Sequence, residues 1–146
     1  MGTYSFLDVT ASLTGPTGVI DLGAGSANAE EGIVVTMSDV KNTTIQGADG
    51  EIMHCLTPGR SGQIQVNLLK TSPINKKLSL AYNAQTMSST LWGKNVIVIR
   101  NSASGDSVTA RAVAFNKLPE FKNGNKVETV TWSFDCGHID QILGTF

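Results

Sequence analysis

The residues best suited to chemistry are few. The chain has two histidines and two cysteines, grouped as His54-Cys55 and Cys136-Gly137-His138. These types ligate zinc, but their spacing matches no zinc motif. Adjacent residues on a strand point to opposite faces, so His54 and Cys55 are poorly placed to share one ion. The plainer reading is two reduced, buried thiols and two partly exposed histidines, with no disulfide and no metal. Gly23-Ala24-Gly25-Ser26-Ala27-Asn28 starts like a dinucleotide loop, but Asn28 stands where the third glycine belongs and no βαβ pattern surrounds it. A flexible connector is the better reading. There is no Gly-x-Ser-x-Gly elbow and no Gly-Lys-Ser/Thr phosphate loop. Asp49-Gly50-Glu51 offers too few oxygens for a calcium loop. Asn42-Thr43-Thr44 fits a glycosylation acceptor, which carries no weight without a leader. Lys76-Lys77 reads as a solvated helix face, and Trp92 and Trp132 as core or interface anchors. No nucleophile and base can be assembled, so neither an enzyme nor a cofactor is expected.

With chemistry set aside, composition speaks to assembly. The chain has 146 residues, enough for one domain (1–146) with its own core. Its longest aliphatic run, Val96 to Ile99, is too short for a membrane span, and its first residues contain no signal segment. A net charge of −1 argues against a protein that coats DNA through phosphate contacts. Charged residues make 16% of the chain, against roughly 25% on average. Ser, Thr, Asn and Gln number 43, nearly twice the 23 charged residues. Surfaces that meet other subunits are depleted in charge, so the chain reads as a subunit.

Strand signals dominate the elements. Extended segments are expected at Thr3 to Leu13, Val19 to Leu22, Ile33 to Ser38, Gln63 to Leu69, Asn95 to Asn101, Ser107 to Asn116 and Val127 to Asp135. Shorter pieces are expected at Glu51 to Leu56 and Ile139 to Leu143. Asp39 to Gly50 reads as a long exposed loop, and Leu118 to Lys126 as another. Ala103-Ser104-Gly105-Asp106 is a hairpin turn. One helix is predicted at Pro73 to Met87: Ser72-Pro73 is a start signal, and Ile74, Leu78, Ala81 and Tyr82 repeat every three to four residues.

Four strands split into two faces at period two. One carries Ile33, Val35, Met37, Ile64, Val66, Leu68, Val108, Ala110, Ala112, Val130, Trp132 and Phe134, and is apolar. The other carries Val34, Thr36, Ser38, Gln63, Gln65, Asn67, Ser107, Thr109, Arg111, Thr129, Thr131 and Ser133. That second face is polar and almost without charge. A wall of hydroxyls and amides is wet without being adhesive, which suits a pore for a polyanion; lysines there would grip phosphates. A plain solvent face rich in threonine, a good strand former, explains the same pattern.

A set of ordered blocks then carries a resemblance. They are Tyr4-Ser5-Phe6-Leu7-Asp8-Val9-Thr10-Ala11 with Gly15-Pro16, Gly47-Ala48-Asp49-Gly50-Glu51, Leu69-Lys70-Thr71-Ser72-Pro73, Leu91-Trp92-Gly93, Ile97 to Asn101 with Ser102-Ala103-Ser104-Gly105-Asp106, and Ile142-Leu143-Gly144-Thr145-Phe146. In order and spacing they resemble the tail tube proteins of contractile-tailed bacteriophages, themselves similar to tube proteins of type VI secretion and contractile bacteriocins. The resemblance spans nearly the whole chain.

It implies a mainly β subunit with one α-helix, a β-sandwich or barrel that gives four strands to a 24-strand inner barrel of a hexameric ring. At about 4.8 Å between strands such a barrel is roughly 37 Å across before tilt, wide enough for a DNA duplex. Rings stack into a tube that conducts the genome at ejection. The lumen-facing residues would be Thr36, Ser38, Gln63, Gln65, Asn67, Ser107, Thr109, Arg111, Thr129, Thr131 and Ser133. The stacking loop would use Asp39, Lys41, Asn42, Thr44, Gln46 and Asp49. Arg111 is the one cation on that face; Glu128 or Asp135 of an adjoining subunit would neutralise it, or the register is off by one. Implied partners are other copies, the sheath, the tape-measure protein, the baseplate and the tube terminator, with DNA passing unbound. The place is the virion, assembled in the host cytoplasm. A tube terminator or baseplate hub component, or a small β-sandwich binding module, are the competing readings.

Overall fold

The computed structural model describes residues 2–23, 28–125 and 128–145. A 3-10 turn, Phe6–Asp8, leads into β1 (Val9–Gly15), so the expected strand at Thr3 begins six residues late. Then come β2 (Gly18–Asp21), β3 (Asn28–Met37), β4 (Asn42–Gln46), β5 (Ile52–Leu56), β6 (Gly62–Leu69), α1 (Ile74–Gln85), β7 (Asn95–Asn101), β8 (Ser107–Lys117) and β9 (Thr129–Ile142). The dinucleotide-like stretch falls largely on residues 24–27, outside the described residues, as do Lys126, Val127 and Phe146.

Seven strands form one antiparallel sheet in the order β2-β1-β7-β8-β9-β6-β3. The four strands whose faces were separable by sequence, β8, β9, β6 and β3, lie side by side in it. β4 and β5 pair only with each other. The expected long loop at Asp39 to Gly50 is therefore half of a hairpin arm. Its Thr43-Thr44-Ile45 and Ile52-Met53 runs favour strand, while Gly47 to Gly50 turns the chain and Gly50 takes φ +89°.

The core lies on the apolar face. Ile64, Val66, Leu68, Trp132 and Phe134 are buried there with Leu13, Leu22, Ile97, Val113 and Phe115. The helix covers this face with Ile74, Leu78 and Ala81, the positions that its spacing predicts. The Ser72 hydroxyl accepts from the Ile74 N–H, satisfying one open donor of the first turn. Phe115 sits at the centre of an aromatic cluster, with its ring 5.0 Å from Phe134, 5.6 Å from Tyr82 and 6.0 Å from Trp132. The Trp132 indole donates to Asn75 Oδ1 at 3.0 Å, so the large ring is buried without an orphaned N–H.

The helix also ends on a polar anchor. Gln85 is fully buried and exchanges two hydrogen bonds with buried Asn95, Nε2 to Oδ1 at 2.9 Å and Nδ2 to Oε1 at 2.7 Å. Asn95 Nδ2 also donates to Val113 O at 3.1 Å. This pair fixes the end of α1 to the start of β7.

Alternation fails in the middle of β8. Val108 and Ala110 face the core, but Ala112 does not: it is exposed, with φ +53°, and the core continues at Val113 and Phe115. β8 is bulged against β7 there, since Asn95 pairs with Val113 but Ile97 with Ala110. On β9 the facing residue is Gly137, where a Cβ would come within 3.0 Å of Ala112 Cβ. β9 therefore changes face at the same level. It runs on from Asp135 to Ile142, taking in the separate piece expected at Ile139, and buries Cys136 and Ile139.

Candidate assembly surfaces

The polar face is the outer surface of β8, β9, β6 and β3. Register places Thr36 opposite Gln63 and Gln63 opposite Asp135; Val34 opposite Gln65 and Gln65 opposite Ser133; Asn67 opposite Thr131. Thr109 stands opposite Asp140 and Arg111 opposite His138. Gln63, Gln65, Thr129 and Thr131 are exposed on it, with Ser107, Thr109 and Ser133 half-buried. Thr36 and Ser38 are exposed towards the end of β3. Met37, expected in the core, is exposed beside them.

Two corrections apply to this surface. Asn67 is only 3% exposed. β3 is irregular between Asn28 and Ile33, which brings the Gly32 carbonyl to Asn67 Nδ2 at 3.2 Å, while Thr131 Oγ1 donates to Asn67 Oδ1 at 2.7 Å. Asn67 is a buried fastener between strands, not a wall residue.

The face is also less empty of charge than its threonines suggest, because β9 continues past Ser133 with Asp135, His138 and Asp140. Asp135 accepts from Gln63 Nε2 at 3.1 Å and Asn116 Nδ2 at 3.0 Å. Asp140 is the hub of a charged cluster. Its Oδ1 lies 2.9 Å from Arg60 Nη1 and 3.2 Å from His138 Nε2, and its Oδ2 lies 3.5 Å from Arg111 Nη2. Arg111 is thus compensated inside its own chain. Asp135 holds amides instead, and Glu128 pairs with Lys122. Partial desolvation pushes the Asp140 pKa up. The His138 charge, hydrogen bonds from Arg60 and His138, and the Arg111 charge outweigh it, and the pKa is lowered overall.

Two strand edges on this side are open. β3 has β6 on one flank and, among the described residues, no strand on the other. β8 leaves β7 at Val113, so Ala114 to Lys117 has β9 on one flank only among the described residues. Unpaired edges are templates for pairing with another chain.

The hairpin arm is exposed along its whole length. It leaves the end of the β3–β6 ladder and is tied at its base by Thr57 N–H donating to Lys41 O at 2.8 Å and by Lys41 Nζ on the Thr57 and Gly59 carbonyls. Asp39 accepts from Ser61 Oγ at 3.2 Å. Asn42, Thr44 and Gln46 share one face of the arm with His54, Ile52 and Leu56. Thr43, Ile45, Met53 and Cys55 share the other. Cys55, read from sequence as a buried thiol, is exposed here, and Asp49 stands at the tip, bonded to the Glu51 N–H. A lone two-stranded hairpin with apolar side chains on both faces is marginal in water, so this arm is built to be covered. Among the described residues no three His, Cys, Asp or Glu side chains are grouped to hold a metal.

The family profile described as bacteriophage PhiTE tail tube protein matches residues 1–144, and the chain belongs to that family. No curated protein matches it. Among solved structures the fold is similar to the sheath/tube terminator of an extracellular contractile injection system, PVC, in its extended state (TM-score 0.62, 11% identity, 97% of this chain and 98% of that one). It is also similar to the PVC sheath–tube complex in the extended state (0.58, 14%, 97% and 92%) and to the tube-terminating cap of the anti-feeding prophage (0.59, 9%, 99% and 93%).

Proposed function

We propose that this tail tube family member is a non-enzymatic conduit subunit: six copies close into a ring, rings stack through the hairpin arm, and DNA leaves the virion through the bore. The observation that carries this reading is the pair of open edges flanking one polar wall. β8, β9, β6 and β3 are contiguous, their common outer face is polar, and each end of the block offers an unpaired edge. Pairing β3 of one copy with Ala114 to Lys117 of the next is a heterologous contact that closes by rotation. It removes both edges and gives 24 strands in six copies. Gln63, Gln65, Thr109, Thr131 and Ser133 then line the bore, with Thr36, Ser38, Ser107, Arg111 and Thr129 around them. The hairpin, with Lys41, Asn42, Thr44, Gln46 and Asp49, reaches the adjacent ring. Sheath, baseplate, terminator and tape-measure protein are the partners this assembly requires.

Electron microscopy of the purified chain tests the reading. Hollow filaments whose averaged cross-section places Gln65 and Thr131 at the bore support it. Single rings that never stack make the chain a terminator-type component. A monodisperse monomer at high concentration across several salt conditions refutes the tube.

A further inference from the structure

The packing of this chain leaves over one aromatic ring and one apolar cleft. Phe121, on the connection between β8 and β9, is 92% exposed, more than any other large apolar side chain among the described residues. Its loop is tied down on the far side of the ring: Lys70 Nζ donates to the Lys122 carbonyl and to Asn123 Oδ1, and Lys122 Nζ lies 3.7 Å from Glu128 Oε1. An aromatic held on a fastened loop gives up little freedom when it is covered, which suits it to be an anchor. The cleft lies on the apolar side of β3. It has a volume of about 570 Å³ and is lined by Tyr4, Phe6, Ile33, Val35, Ile99 and Leu143. Ile33, Val35 and Ile99 also pack against the core, but only partly buried, so the core is open along this edge.

Ring and cleft do not meet within one chain. Ser107 and Val108, at the start of β8, border the cleft, whereas Phe121 follows the end of β8 at Lys117. About 30 Å of strand lies between them. They do meet between copies. Each pairing along β8-β9-β6-β3 is antiparallel. Continuing that alternation, β8 of a neighbouring copy lies antiparallel on the open flank of β3, with its end directed towards the start of β3. The loop bearing Phe121 then leaves that strand along the flank whose Ile33 and Val35 wall the cleft. Four residues beyond Lys117 reach about 13 Å, against about 4.8 Å between adjacent strands. We propose that Phe121 of each copy is the anchor of the contact between ring neighbours, seated in the cleft under β3 of the next copy. The proposal rests on the tube reading for the order of the copies and adds which side chain enters which cleft. Seating the ring removes apolar surface of both copies from water, and places it beside Tyr4 and Phe6.

The test uses the full chain, concentrated until it assembles and followed by sedimentation and electron microscopy. Phe121→Glu should leave circular dichroism and melting unchanged and raise the concentration needed for rings at least ten-fold. Phe121→Leu, still apolar, should stay closer to the wild type. Phe121→p-benzoylphenylalanine, irradiated in a mixture of isotope-labelled and unlabelled chains, should join to peptides containing Tyr4 to Phe6 or Ile33 to Val35 of a different copy. That crosslink decides the matter independently of how the glutamate variant folds. Rings from Phe121→Glu at the wild-type concentration overturn the proposal and leave the tube reading standing. Crosslinks within one chain, or to the hairpin arm of another copy, also overturn it. If the wild-type chain forms neither rings nor tubes, the conduit reading falls, and this contact with it.

Discussion

The most informative perturbation is Asp140→Asn. In the folded chain one carboxylate faces two guanidinium groups and a histidine ring, at 2.9, 3.5 and 3.2 Å. The amide keeps the shape and an acceptor oxygen but removes the charge. Arg60 and Arg111 then present one more uncompensated cation per copy. In the proposed six-membered ring this adds six cations at one level of the bore, and the same again in every ring. Each phosphate contact made by a lysine or arginine contributes about 0.9 to the salt slope of binding. Six contacts within one ring therefore change DNA retention about a thousand-fold between 50 and 200 mM salt. The assay is genome release from purified particles carrying the substitution, triggered at both ionic strengths and followed by a DNA dye. The expected result is ejection slowed strongly at 50 mM and largely restored at 200 mM, with Glu120→Gln, on the exposed loop after β8, as the neutral control. Circular dichroism should show an unchanged fold. Wild-type release rates at 50 mM, in particles shown to contain the variant, would refute the placement of this cluster on the bore.

Four further outcomes are expected. Replacing residues 43–55 by a short Asn-Gly turn should leave the melting temperature within a few degrees, because both arm strands are exposed along their length and pair only with each other, and should stop growth at single rings in electron micrographs. A thiol reagent at pH 8 should modify one of the two cysteines in the folded chain, since Cys55 is exposed, while burial and then the Asp135 charge push Cys136 up to about 11; the second should react only on unfolding. Gly62→Ala should lower stability by about 1–3 kcal/mol in denaturant melts, because the added Cβ would lie 2.5 Å from Thr36 O and 2.7 Å from Ile139 Cδ1. In an acid titration, Asp140 contributes stability above its ordinary carboxylate pKa and loses it as pH falls through its lowered folded value, so Asp140→Asn should flatten that part of the curve.

Much of the wall was legible because β6 alternates without interruption: Ile64, Val66 and Leu68 can face only one way, and Gln63 and Gln65 follow. The helix was legible for the same kind of reason, its buried positions recurring at helical spacing. The departures have separate local causes. Ala112 is small and apolar, so it fits a core pattern, yet its left-handed backbone turns it out and hands the core to Val113 and Phe115. Asn67 looks like its glutamine neighbours, but only the irregularity of β3 places a carbonyl over it. The charges of β9 were missed because the strand continues through Gly137, which reads as a stop. Of the hairpin, β5 reads as extended in the sequence, while β4 lies in a stretch that reads as loop because its apolar residues serve no core of this chain. Propensity was visible there, whereas the partner that makes sense of it lies outside the sequence.

β8 is held differently along its length. From Ser107 to Val113 it is stitched to β7, and beyond Val113 that flank is left open, while Phe115 on this same stretch anchors the aromatic cluster. In the proposed assembly a neighbour grips that open stretch, so hoop tension in the wall loads the aromatic cluster around Phe115 without passing through a linker. Such a cylinder has no soft joint between bead and ring. It resists bulging and ovalisation until the subunits themselves begin to unfold.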